Sequence, residues 1–438
     1  MSGALRQTAL YALATLVARA MPLVTLPLLT HALGPADYGR LEYLAVIAEL
    51  GGLLAGGGLA AVVFRFAAAG PEAECRRAAA EAIGLAAVLA LAALAAGLAF
   101  LPVLPGALPV PVSGPELAIV TGSFCLAAFV ETPLAVLRAE GRVRLFAGLT
   151  ILRALVQTAI LAALLAAEAG VAGALSAALI TSAALAAYLL ADRARGGGVA
   201  LPPSARFRAY LRFGLPMMAG GLVGFLQMAG DRWIVADHLG AEALAQYALA
   251  VKVAIVTAVL MRPYDMWWEA NRMRLLTGEV GPGAARRALA AGFGLSALTG
   301  AAVALGGGLL ILWATPAAFH PAAGLVPLAA AAGACHAASA YAGARLYIRA
   351  SGLPVLAVNA VCAAVTLALC LVAVPRWGLE GALAARLAGA VLRIAAFALA
   401  ARLVAGDSRR GGSRARANGV STGTPDGAAA VAGKISIS

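Results

Sequence analysis

Five cations sit inside long apolar stretches: Arg19, Arg153, Lys252, Arg386 and Arg393. A charge at the bilayer centre costs roughly 2.5–3.5 kcal/mol on insertion scales, so each should face protein or water. Arg386 and Arg393 are seven residues apart, and Arg153 and Gln157 four, which puts each couple on one helix face. The planar fork of arginine matches phosphate and carboxylate, so such a set suits a cavity that holds an anion. Snorkelling to the headgroups is the competing role for Arg153, Arg262 and Arg393. The acids within the same stretches are fewer: Glu49, Glu131, Asp265 and Glu269. Glu49 is the candidate for a protonatable gate, and Glu131 fits a pair with Arg138. Asp231 and Arg232 are adjacent, so on a helix they point apart and each needs its own partner. With Glu49 they are the candidates for coupling or gating.

These charges need elements that hold them in hydrocarbon. Of 438 residues, 62% are hydrophobic and only 12% charged. A soluble domain carries about 25% charged residues. The chain is therefore expected to be an all-α integral membrane protein, because its apolar stretches are long rather than short and alternating. The net charge of +13 is almost wholly arginine and falls between apolar runs, which favours membrane topology over nucleic-acid binding. About twelve spans are expected, with both termini cytoplasmic, since the Lys- and Arg-bearing loops alternate with loops such as 102–114 and 315–322 that have neither. The first run, Thr8 to Thr30, reads as a retained helix rather than a signal segment.

The halves resemble each other. Arg6 and Arg212, and Leu33-Gly34 and Leu239-Gly240, are related by one offset of 206 residues. Gly170-Val171-Ala172-Gly173 matches Gly378-Leu379-Glu380-Gly381, and Arg138-Ala139-x-Gly141 matches Arg349-Ala350-x-Gly352. A duplicated six-helix unit follows: an N-terminal lobe over 1–191, a cytoplasmic linker over 192–208, a C-terminal lobe over 209–404, and a disordered tail over 405–438. Two similar lobes around a cleft are the usual geometry for alternating access. Pro22 and Pro27 in the first span and Pro216 in the seventh free backbone carbonyls and permit bending, and Gly34 and Gly240 mark the repeated hinge.

No Walker A motif, nucleophile elbow, metal-ligand cluster or thiol pair occurs, so no enzyme activity, cofactor or metal is expected. The five cysteines read as small packing residues.

The hinge Leu33-Gly-Pro-Ala-Asp-Tyr-Gly39 resembles that of polysaccharide biosynthesis proteins, the lipid-linked oligosaccharide flippases of the multidrug/oligosaccharidyl-lipid/polysaccharide exporter (MOP) superfamily. Phe213-Gly-Leu-Pro216, Asp231-Arg232-Trp-Ile, Arg138-Ala-Glu-Gly-Arg142 and Gly378-Leu-Glu-Gly-Ala382 carry the same resemblance. It implies two six-helix lobes about a cationic cavity in a bacterial inner membrane. It also implies flipping of an undecaprenyl-pyrophosphate-linked oligosaccharide to the outer leaflet by alternating access, coupled to an ion gradient. The expected partners are that substrate, membrane lipids and other polysaccharide assembly proteins, with no nucleic acid. Arg19, Arg153, Lys252, Arg386 and Arg393 would line the cavity. Two other functions fit the same topology: a cation-coupled multidrug exporter, which wants an acidic cavity, and a non-transporting scaffold of a polysaccharide assembly complex. The second hinge departs from the pattern, with Ala245-Gln246-Tyr247 at its end.

Overall fold

The computed structural model describes residues 3–417, apart from 69, 197, 282, 345 and 347–351. In hydrocarbon every backbone group must bond within its own segment, so the long apolar runs become helices. In order these are α1 (Gly3–Ala32), α2 (Pro35–Gly56), α3 (Leu59–Phe66), α4 (Glu72–Phe100), the single turn α5 (Leu104–Ala107), α6 (Gly114–Ala139) and α7 (Val143–Ala166). Then come α8 (Gly170–Gly196), α9 (Ser204–Ala254), α10 (Val256–Thr277), α11 (Ala284–Ala314), α12 (Pro321–Ala342) and α13 (Gly352–Ala417). Ten runs are long and apolar enough to cross a membrane, and no strand occurs among the described residues. The last turns of α13 reach into the expected tail, whose residues 418–438 lie outside the described set.

Two runs are much longer than a bilayer is thick: Ser204–Thr277 has 74 residues and Gly352–Leu403 has 52. Straight, the first would reach ~110 Å against a hydrocarbon core of about 30 Å. Both double back at a glycine. Gly240 (φ 80°, ψ −177°) breaks α9, and Gly378 (φ 57°, ψ −137°) breaks α13. Glycine adopts these positive φ values without a Cβ penalty. Side chains report the reversal. The Tyr247 hydroxyl donates to Asp231 Oδ2 at 2.5 Å, although a straight helix would hold those residues ~24 Å apart. Cys370 Sγ likewise lies 3.9 Å from the carbonyl of Ala382.

The repeated motifs take related but unequal forms. Gly170 and Gly378 have nearly the same φ, at 58° and 57°. Gly34 instead caps α2 at φ −67°, with Pro35 in the first turn, while Gly240 uses its positive φ. Arg349 lies outside the described residues. The helix runs unbroken through Pro22 and Pro27 in α1 and through Pro216 in α9. The second span breaks instead at Gly57 and Gly58, both left-handed, between α2 and α3.

Helices α1–α8 pack among themselves, with α2, α4 and α8 against α6, and α7 against α1 and α8. Helices α9–α13 form a second set, with α12 between α11 and α13. α2 lying along α9 joins the two sets. The join is backbone on backbone. A Cβ on Gly39 would fall 1.8 Å from the Ala241 oxygen, and one on Gly58 would fall 2.3 Å from the Gly214 oxygen. Leu44 of α2 and Leu244, Tyr247 and Leu249 of α9 are fully buried. α11 turns Leu305, Leu309, Leu312 and an 88% exposed Trp313 outward, as a lipid-facing surface requires.

A second tie holds the start of α9. Glu81 of α4 is buried and accepts from Arg77 Nε (3.1 Å), Arg206 Nη1 (3.0 Å) and the Tyr210 hydroxyl (2.8 Å). The Ala200 amide donates to the Ala80 carbonyl at 3.1 Å, so the stretch between α8 and α9 docks on α4. Nearby, Arg142 grips Asp192 through two nitrogens (2.7 and 2.9 Å), and Arg193 grips Glu140 in the same way (2.7 and 3.1 Å).

The seam gives a paired test. Gly39→Ala must push α2 off α9, and overpacking of this kind costs about 1–3 kcal/mol. Gly34→Ala meets nothing within 4 Å at an ordinary φ. Thermal unfolding in detergent should show a lowered midpoint for Gly39→Ala and an unchanged one for Gly34→Ala.

Candidate functional site

Among the described residues two sizeable cavities open among the helices, one mainly within each set. The first, of about 400 Å³, is lined by α1, α2, α7, α8 and Lys252 of α9, and includes Pro22, Glu42, Arg153 and Gln157. The second, of about 430 Å³, lies among α9, α10, α12 and α13 and includes Asp265, Glu269, Arg272, His336, Arg386 and Arg393. Four of the five expected cations therefore line cavities, two in each. Arg19 is on α1, one turn before Pro22, and its side chain lies outside the described residues.

Lys252 and Arg386 carry buried carboxylate partners. Lys252 Nζ donates to Glu42, whose side chain is 4% exposed, and to the Tyr38 hydroxyl at 3.1 Å. Arg232 Nη1 approaches the other Glu42 oxygen at 3.4 Å. One carboxylate on α2 thus holds a cation from each arm of α9. Arg386 Nη1 donates to Asp231 Oδ2 at 2.6 Å and to the Met228 carbonyl at 3.2 Å. Asp231 and Arg232 point apart, as neighbours on a helix must. Asp231 faces α13 and Arg232 faces α2.

The other two cations have different neighbours. Arg153 reaches Ser182 Oγ at 3.3 Å and Glu131 at 3.9 Å. Arg393 Nη1 lies 3.1 and 3.2 Å from the two ring nitrogens of His336, and its guanidinium stacks over Phe397 at 5.5 Å. An arginine that close requires an unprotonated acceptor nitrogen on the ring.

Several sequence expectations change. Glu131 meets Arg153 rather than Arg138, whose guanidinium instead lies over Phe64 (5.0 Å) and Phe146 (5.3 Å). That follows from the exposure of Glu131 toward α7, while aromatic faces surround Arg138. Glu49 is exposed and makes no ion pair among the described residues. The buried acid of α2 is Glu42. Arg262 reaches Glu269 at 4.0 Å. Glu42, Tyr38, Tyr247 and His336 were missed. For Glu42 the signal was spacing, since it stands four residues after the hinge tyrosine Tyr38, on one helix face; Tyr247 and His336 had no such local signal.

The arrangement is a pair of mainly apolar chambers, each with a few charged side chains on its wall, among them one cation held by a buried carboxylate. No metal-ligating cluster occurs among the described residues. Nothing in either chamber resembles a nucleophile with its base.

A sequence profile described as polysaccharide biosynthesis protein matches residues 4–266, more than half the chain. The chain belongs to that family. No curated protein matches the chain. Among solved structures, this polysaccharide biosynthesis protein is similar to the MATE multidrug transporter DinF-BH in complex with R6G. That match has a TM-score of 0.63 at 16% identity and covers 92% of this chain and 94% of that one. An outward-facing multidrug resistance MATE family transporter of the MOP superfamily matches at 0.60 and 16%, covering 92% and 97%. A MOP superfamily transporter from Pyrococcus furiosus, described as having a binding pocket of reverse polarity, matches at 0.52 and 15%, covering 91% and 95%. These likenesses establish a MATE-like fold for a multi-pass membrane protein.

The Glu42 cluster makes a thermodynamic forecast. Glu42→Gln removes the charge that Lys252 and Arg232 share, and breaking a buried pair costs about 3–5 kcal/mol. Adding Lys252→Met should restore part of that stability. A double-mutant cycle on detergent unfolding curves reads the coupling, and additive losses would exclude it.

Proposed function

We propose that this polysaccharide biosynthesis protein is a flippase that moves an undecaprenyl-pyrophosphate-linked oligosaccharide from the inner to the outer leaflet of a bacterial inner membrane. Family membership supplies the class of process. The observation that carries the reading is the lining: each chamber presents one more cation than acid. Arg153 and Lys252 stand against Glu42 in the first, and Arg272, Arg386 and Arg393 against Asp265 and Glu269 in the second. A pyrophosphate needs such a surplus to leave water.

Each glycine-reversed run counts as two crossings, so the ten apolar runs become twelve. The lobes are then 1–191 and 209–404, joined by the docked stretch 192–208. An even count places both termini on one side, and the arginine-rich loops make that side cytoplasmic. The chambers, one in each lobe, face alternate sides of the membrane as the lobes rock. Other polysaccharide assembly proteins would supply and consume the lipid-linked sugar.

Export of drugs is the second reading, favoured by the fold shared with multidrug transporters. A cationic drug would use Asp265 and Glu269. A scaffold role, by contrast, would tolerate neutral substitution of any chamber charge.

Two measurements follow. Arg153→Ala and Arg393→Ala should each lower cell-surface polysaccharide by roughly tenfold or more, since each removes a charge-assisted hydrogen bond. Unchanged polysaccharide at normal expression refutes the flippase. Loss of drug resistance in Asp265→Asn with normal polysaccharide supports the exporter. For topology, a reporter fused after Ala417 should read cytoplasmic and one inserted at Gly240 extracytoplasmic.

A further inference from the structure

Asp231 occupies an unusual place for a structural carboxylate. Its Oδ2 takes two short hydrogen bonds, from Arg386 Nη1 at 2.6 Å and from the Tyr247 hydroxyl at 2.5 Å. Its Oδ1 is buried with no partner. Its side chain is only 3% exposed. The arginine it holds is the one that lines the second chamber, on the same α13 face as Arg393. Arg386 gives Asp231 a single nitrogen. A structural Arg–Asp pair is usually a two-nitrogen fork, and Arg142–Asp192 and Arg193–Glu140 show that this protein builds such forks where it needs a fixed joint. At Arg386 it builds an end-on contact instead, and both carboxylate hydrogen bonds fall on one oxygen.

We propose that Asp231 is a built-in counter-anion: it holds Arg386 at the chamber wall until the anionic group of the substrate displaces it. The proposal rests on the flippase reading and names a residue that sets how tightly the chamber holds an anion. The contact is arranged for exchange. When a diphosphate takes Arg386, Asp231 keeps the Tyr247 hydroxyl, which lies on the other arm of the α9 hairpin and leaves its charge partly satisfied. The carboxylate therefore has somewhere to rest. Exchange also has a mechanical effect, because Asp231 and Arg386 join α9 to α13. An occupied chamber loses that tie, so the ligand distinguishes two packings of these helices, as a ligand must if it is to shift them.

The logic predicts a gain. A purely structural Asp231 would weaken binding when removed, through loss of order. A competing Asp231 strengthens it. The test uses the purified full chain in detergent at fixed pH and salt, with geranyl pyrophosphate as the probe in calorimetry. Asp231→Asn keeps the shape and removes the charge, and affinity should rise by roughly tenfold or more, in the range of intramolecular couplings. The double variant Asp231→Asn/Arg386→Gln should lose that gain. Tyr247→Phe moves the opposite way: without its second donor the carboxylate leans harder on Arg386, and affinity should fall. Tyr247→Phe also serves as the readout should Asp231→Asn fail to fold.

Equal, weaker or absent binding in well-folded Asp231→Asn overturns the proposal. So does a gain that survives Arg386→Gln, or a Tyr247→Phe variant that binds more tightly. The flippase reading fails separately. If Asp231→Asn tightens the probe but Arg393→Ala and Arg153→Ala leave surface polysaccharide intact, the exchange stands and transport of that lipid does not.

Discussion

The reversal at Gly240 is what the polar interior depends on. It folds one long apolar run back on itself and brings Asp231 within hydrogen-bond reach of Tyr247. It also sets Arg232 from one arm and Lys252 from the other against the single carboxylate of Glu42. A side chain larger than hydrogen would resist the positive φ there. The two clusters are therefore products of one backbone position. They share no side chain, yet Asp231 and Arg232 are consecutive, so any turn of the first arm of α9 alters both together.

Low dielectric explains why the clusters look as they do. An unpaired ion in such surroundings is expensive, and the buried charges Glu42, Glu81 and Asp231 each have a partner. The partners differ in strength. Glu42 serves two cations, Asp231 serves one through a single nitrogen, and Arg153 and Arg393 meet a hydroxyl, a distant carboxylate and an imidazole. Two-nitrogen forks recur at the arginine-rich end, while the contacts on the chamber walls range from the buried Glu42 cluster to single hydrogen bonds.

Much of this was legible in the chain. Length and composition forced a helical membrane protein, because nothing else can bury so many apolar residues with so few charges. Of the repeated glycines, Gly170, Gly240 and Gly378 mark real breaks at positive φ, which favours glycine, whereas Gly34 takes an angle open to any residue. The cations were visible as charges out of place. Their partners were harder to see. Glu42 sits near a helix start where an acid is ordinary, and Tyr38 reads as part of a hinge. Pairing across 190 or more residues, as between Glu42 and Arg232 or Lys252, depends on how α2 lies along α9. No local period encodes that crossing. Arg138 shows the converse: the spacing to Glu131 was right for a helix pair, but aromatic rings nearer to hand took the guanidinium.

The seam between α2 and α9 has one more implication. Most helix pairs mesh side-chain ridges into grooves, and moving one past the other means lifting those ridges clear. At both ends of this seam the contact is glycine against main chain, Gly39 on Ala241 and Gly58 on Gly214. Close dispersion contact holds those ends together. The side chains that key the two helices lie between them, where Glu42 of α2 holds Arg232 and Lys252 of α9, so the seam is close-packed at its ends and fixed in register by charge.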